Sequence, residues 1–235
     1  MSIKYLSAIM AATLTVSSSV WADVVINATR VVYKESAKEV NVRLTNEGTR
    51  PLLVQSWLDD GRATESPENI DLPFMITPPV SRIDAKKGQT LRIAKMDASL
   101  PKDRESIYYL NVLEVPPKAK GADAGNNKLQ LAFRTRIKMF YRPDALKVKP
   151  KDAAAKVEWR GESGALVAKN NSPYYLTFSM MKVGNDAAKS GMVAPFATEK
   201  FVFDNKAFKP AAGMSLTYSY ISDYGNDVEG TAVIK

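Results

Sequence analysis

The 235-residue sequence predicts an all-β protein of two sandwich domains. Three observations carry this. Short runs rich in Val, Ile, Leu, Tyr and Phe are punctuated throughout by Gly, Pro, Asn and Asp, with no helical period longer than two turns. The run ending at Tyr141 is halted by Arg142-Pro143-Asp144, and residues 146–155 switch to lysine, proline and alanine, the composition of a linker. The chain is also long for one sandwich and comfortable for two.

The N-terminal residues come first. One lysine at position 4 precedes an apolar and small-residue run from Tyr5 to Val16, and Val20 and Ala22 have the small side chains that signal peptidase accepts. Residues 1–22 are therefore read as a secretory signal peptide, with the mature chain starting at Asp23. The run is too short and too interrupted by serine to span a membrane, and no later segment is apolar for long enough. The expectation is an exported, soluble chain with no membrane insertion.

Strands are expected at 24–28, 31–33, 39–46, 52–59, 75–77, 81–84, 89–94, 107–115 and 129–141. This spacing makes an immunoglobulin-like sandwich over residues 23–145. Gly48, Gly61 and Gly88 sit where turns are wanted, and Thr77-Pro78-Pro79 marks a stiff corner. A second, smaller sandwich is expected over 146–235, with strands at 157–160, 165–169, 175–183, 192–194, 199–203, 215–222 and 231–234.

Composition narrows the chemistry. Cysteine is absent, so stability must come from packed cores, and histidine is absent too. Only carboxylates remain as metal ligands, no cofactor is expected, and most hydrolase mechanisms are hard to write. The formal charge of +8 arises from lysines and arginines scattered among acids, which reads as a solvated basic surface with no nucleic-acid partner. Ser179-Met180-Met181-Lys182 matches an S-x-x-K motif, but strand alternation would put its serine and lysine on opposite faces, and no K-T-G partner exists. Asp59-Asp60-Gly61 is read as a turn rather than as a pair of catalytic carboxylates.

Two features stand out. In the stretch LQLAFRTRIKMFYRP, Leu129, Leu131 and Phe133 alternate and leave one face of an extended strand. That face is either buried core or a surface awaiting a partner's chain. Arg30 and Lys138 each lie inside strongly β-forming runs, where a charge needs solvent or a partner.

Taken together, NATRVVY at 27–33, ITPPVSRID at 76–84, LPKDRESIYYLNVLEVPP at 100–117, IKMFYRP at 137–143 and YISDYGN at 220–226 resemble the periplasmic chaperones of the chaperone-usher pathway. The motifs are in order and cover essentially the whole mature chain. The resemblance implies two immunoglobulin-like domains at an angle with a cleft between them, no enzymatic activity, and a periplasmic location. It implies that Arg30 and Lys138 clamp the C-terminal carboxylate of a pilus subunit, and that Leu129, Leu131 and Phe133 enter the groove of a subunit lacking its last strand. Glu105, Arg142 and Asp223 correspond to the family's interdomain ion pairs. The further partner implied is an outer-membrane usher; the exposed donor strand leaves open whether the free chaperone caps itself by forming a homodimer. The short cysteine-free segment 116–128 resembles the family's short-loop branch, and Phe133 stands where a smaller aliphatic is common.

Because Leu129, Leu131 and Phe133 are odd-numbered donor residues, while odd-numbered Ile137 and Met139 look like this chain's own core, a β-bulge or strong twist is expected near 134–136. The alternatives weighed are a secreted two-domain adhesin or carbohydrate-binding module, in which the same strand is merely core, and a serine hydrolase using Ser179 and Lys182.

Overall fold

The computed structural model describes residues 23–115 and 131–235. The signal-peptide reading of 1–22, the loop 116–128 and Leu129 lie outside the described residues.

The described residues of the first half form nine strands: β1 (Val24–Ile26), β2 (Arg30–Lys34), β3 (Glu39–Asn46), β4 (Leu52–Asp59), β5 (Phe74–Thr77), β6 (Val80–Ile83), β7 (Gly88–Lys95), β8 (Ser106–Val115) and β9 (Phe133–Arg142). They form two sheets, ordered β1-β3-β7-β5 and β2-β9-β8-β4-β6. Alternation explains the packing. Val42 and Leu44 from β3, Leu91 and Ile93 from β7, and Leu110 and Val112 from β8 point inward and are almost wholly buried. Tyr33, Phe74, Tyr108 and Tyr141 close one end of this core, with ring centroids 4.9–6.2 Å apart. The buried Tyr33 hydroxyl is satisfied by donating to the Lys38 carbonyl at 3.0 Å. The Thr77-Pro78 bond at the stiff corner is cis.

A short helix α1 (Pro150–Ala153) and a 3-10 turn (Ala154–Lys156) come next. Ala153 and Ala154 are buried in the second core, against which Leu146 and Val148 also pack. The stretch expected to be a free linker is thus docked. Its alanines are small enough to sit beneath the second sandwich, and the Tyr174 hydroxyl holds the Val148 carbonyl at 2.5 Å.

The second half contains β10 (Val157–Glu162), β11 (Ala165–Asn170), β12 (Leu176–Val183), β13 (Asp186–Ala188), β14 (Gly191–Val193), β15 (Thr198–Val202), β16 (Ser215–Ile221) and β17 (Asp227–Val233). One sheet is β10-β11-β15, and the other is β13-β12-β16-β17 with β14 also on β12. Trp159, Phe178 and Tyr218 pack against one another, mainly edge to face, at the centre of the second core with ring centroids 5.0–5.7 Å apart. β13 and the first half of β17 carried too few large apolar residues to be read as strands.

Two expectations about side-chain facing are corrected. The β8–β9 register runs without a break from Ser106↔Tyr141 to Glu114↔Phe133, so no bulge lies at 134–136. None is needed: Phe133, Thr135, Ile137, Met139 and Tyr141 share one face, covered by the domain's own core at one end and left open at the other. A register shift does occur in β12, between Phe178 and Met180. It resets the alternation, so Ser179 and Lys182 are both exposed rather than on opposite faces.

Candidate functional site

The site begins with the only parallel pairing among the described strands, β2 against β9. Its register sets Arg30 beside Lys138, Val32 beside Phe140 and Lys34 beside Arg142, all on the outer face of the sheet. The alternate residues Val31, Met139, Tyr33 and Tyr141 go into the core. The outer face at this end of the sheet meets the second domain.

Arg142 makes the junction. Its Nε donates to Glu105 at 2.7 Å, and its two terminal nitrogens donate to Asp223 at 2.6 and 2.7 Å. Glu105 also accepts the Tyr175 N–H at 2.9 Å, and its own N–H donates to the Pro173 carbonyl at 2.9 Å. Glu105, Arg142 and Asp223 are therefore brought together across the two domains. Burial pushes the Glu105 carboxyl above the usual range, and the Arg142 charge opposes this. Gly225, with φ of +85°, approaches so closely that a Cβ there would lie 2.1 Å from the Thr29 hydroxyl of the first domain.

Beside this junction is a cavity of about 590 Å³ lined in part by Arg30, Glu105, Phe140, Tyr175, Ile221 and Asp223. Arg30 donates to the Ile221 carbonyl at 3.0 Å, and its guanidinium lies 5.8 Å from the Phe140 ring centroid. Its Nε is buried without a partner. Among the described residues the Lys138 ammonium reaches only the Thr177 hydroxyl, at 3.3 Å. Burial, and then the Arg30 charge, hold the Lys138 amine below the ordinary lysine range. Among the described residues neither cation forms an ion pair, whereas the nearby Arg142 forms two. Two half-buried cations side by side, satisfied only by neutral oxygens, make a receptor for an anion.

Along β9 away from the cleft, the inner face changes character. Met139 is fully buried and Ile137 packs on the first core, but Phe133 is 43% exposed, and Leu131, just before the strand, is 53% exposed. β2 pairs only with 138–142, so among the described residues the ladder edge of 133–137 on that side has no partner strand. Opposite Phe133 stands Glu114, buried, whose carboxylate accepts the Val24 N–H at 3.2 Å and is pushed up by burial.

Sequence reasoning missed Asp59. The turn reading holds locally, since Asp59 accepts the Gly61 N–H at 2.7 Å, but the same carboxylate accepts from Asn111 and Arg136, both at 2.8 Å. Neither partner is near it in the sequence. Ser179 lies against Asp227 and the Ser219 carbonyl rather than Lys182. No group of three acidic side chains that could hold a metal occurs among the described residues, and none of their helices is long and apolar enough to cross a membrane.

A two-sandwich protein with an anion-receiving cleft that continues into a free, apolar strand edge defines a class that captures extended polypeptide rather than transforming a small molecule. The comparisons specify the class. Residues 23–147 match the pili and flagellar-assembly chaperone PapD N-terminal domain, and residues 152–232 match the pili assembly chaperone PapD C-terminal domain. The probable fimbrial chaperone YadV of Escherichia coli K12 is 48% identical over 231 residues, 92% of each chain. Chaperone protein MrkB of Klebsiella pneumoniae is 40% identical over 219 residues, covering 91% of this chain and 92% of that one. The crystal structure of the YadV chaperone superposes with a TM-score of 0.78 at 43% identity, covering 91% of this chain and all of that one. That of the Salmonella enterica SafA pilin in complex with the SafB chaperone gives 0.79 at 26% identity over 92% of this chain and 99% of that one. The chain belongs to the PapD-type pilus-assembly chaperones, a non-enzymatic family. The adhesin reading finds no support among these relatives.

Proposed function

We propose that this chaperone binds pilus subunits in the periplasm by lending them β9, keeps them from aggregating, and hands them to an outer-membrane usher. In this reading Arg30 and Lys138 clamp the subunit's C-terminal carboxylate, and Leu129, Leu131 and Phe133 fill the groove left by the subunit's missing strand. Glu105, Arg142 and Asp223 fix the two domains, which run over 23–145 and 146–235 after a signal peptide at 1–22. The observation that carries the reading is the placing, along β9, of a cation pair shared with β2 and free of ion pairs among the described residues, followed by an uncovered apolar face and an edge to which no described strand is paired.

The energetics are of the right size. Three large apolar side chains moving from water into a groove contribute roughly 5–9 kcal/mol at about 1.5–3 each, before ordering costs. Each charge-assisted hydrogen bond to the carboxylate adds about 1.5–3 kcal/mol. The clamp also sets register, because a slip of one residue would turn every donor side chain away from the groove. In the absence of a subunit, the same open edge would be covered by a second copy of the chaperone.

The test is co-purification from periplasm of the wild type, Arg30→Ala and Lys138→Ala, each expressed with the subunits encoded beside it. Wild type is expected to retain subunits, and the variants, folded by thermal unfolding, to lose them. Undiminished capture by both variants would sink the clamp, and no capture by wild type would sink the function.

A further inference from the structure

Residues 133–137 of β9 are poorly held on two sides. Their inner face is uncovered at Phe133, and one ladder edge is open. Such a segment ordinarily frays. The outer face shows what opposes this. Arg136 donates to Asp59, whose side chain is 1% exposed, and its guanidinium lies 3.6 Å from the centroid of the Tyr109 ring. Arg134 donates twice to the buried Asn111 amide oxygen, at 2.9 and 2.7 Å, and once to the Ala63 carbonyl at 2.7 Å, with its guanidinium 5.1 Å from the Trp57 centroid. Tyr109 and Asn111 belong to the adjacent strand β8, and Trp57 and Asp59 to β4 on its far side, so the two side chains reach across β8 to the strand beyond.

We propose that Arg134 and Arg136 are positioning residues that hold the open half of β9 extended and in register before a subunit arrives. The inference rests on the donor-strand reading above. Both side chains leave the sheet on the face opposite Phe133, so they act through the strand and leave the donated surface free. Planar guanidinium groups suit this task, because they stack on rings while filling fixed hydrogen-bond positions, which a lysine does not. Once a subunit strand pairs with the open edge, the segment is held by that partner and the arginines matter less. Their effect falls on capture rather than on the lifetime of the complex.

The experiment is amide hydrogen exchange of the full chaperone, wild type against Arg134→Gln/Arg136→Gln, with capture and release kinetics of a denaturant-refolded pilus subunit. Exchange at 133–137 is expected to accelerate about tenfold or more while 138–141 stay protected, because only the local opening equilibrium changes. Capture should slow, release should stay within about twofold of wild type, and exchange in the complex should become alike in both. Since removing Arg136 strands the Asp59 carboxylate, Asp59→Asn/Arg136→Gln provides a neutral replacement if the first variant does not fold. Unchanged exchange at 133–137 in a folded variant overturns the proposal, as does faster release with wild-type capture. A wild type that captures nothing removes the donor-strand reading alone, and the exchange data still decide whether the arginines order the strand.

Discussion

Arg30 and Lys138 are register partners in the parallel β2–β9 pair, so two cations leave the same face of the sheet side by side in the cleft. Like charges so placed are held there by the ladder, and burial together with mutual repulsion depresses the Lys138 amine.

Subunit binding should therefore weaken at alkaline pH. A carboxylate entering the cleft raises the Lys138 value, so the complex holds that proton more tightly than the free chaperone. Affinity is full below the depressed free-state value and is lost as pH rises from there through the bound-state value. Calorimetry in buffers of different ionisation enthalpy should detect proton uptake within this window, and Lys138→Met should abolish it. A pH-independent affinity with no proton uptake would count against the clamp.

Phe133 and Met139 lie on one face of one strand, but only Met139 is buried. Phe133→Ser is expected to change unfolding free energy by no more than about 0.5 kcal/mol, as exposed positions do, while subunit capture is lost. Met139→Ala should cost about 2–5 kcal/mol. Urea unfolding alongside co-purification separates the two, and a large stability loss in Phe133→Ser would mean that its ring serves the chaperone's own core.

Arg142→Met leaves Glu105 buried without its counter-ion, and should destabilise the protein by about 3–5 kcal/mol at neutral pH. Burial already raises the Glu105 carboxyl. A lone buried carboxyl is tolerated once protonated, so the gap to wild type should narrow as pH falls. Melting temperatures measured from neutral to acid pH would show this, and a constant gap would place the cost elsewhere than in the stranded charge.

Gly225→Ala tests the fit between the domains. The positive φ alone disfavours alanine by about 1–2 kcal/mol, and its Cβ would collide with the Thr29 hydroxyl. Small-angle scattering is expected to register a changed interdomain geometry, and Gly225→Ala/Thr29→Gly should recover the wild-type profile without recovering all the stability. A wild-type scattering profile from the single variant would show that this contact does not set the geometry.

Most strands were legible because period-two alternation and turn residues are local signals, and β3 and β4 matched their expected limits to the residue. Arg30 and Lys138 were legible as charges inside β-forming runs. What stayed hidden was non-local. Nothing near Asp59-Asp60-Gly61 announces Arg136, which reaches Asp59 only after β9 folds beside β8. The β12 register shift was invisible for the same reason, since it shows only against β16. The bulge expected in β9 came from assigning core and donor residues to different faces, when one face serves as core at one end and open surface at the other.

That shared face has a further consequence. With an uninterrupted ladder from Phe133 to Tyr141, the spacing between the cation at Lys138 and the apolar side chains beyond it is a count of residues, not a flexible distance. The chaperone's interior and the surface it offers are in phase, like marks on one ruler. A single-residue insertion between Phe133 and Lys138 would invert one relative to the other, so this segment can change in composition to suit different partners but not in length.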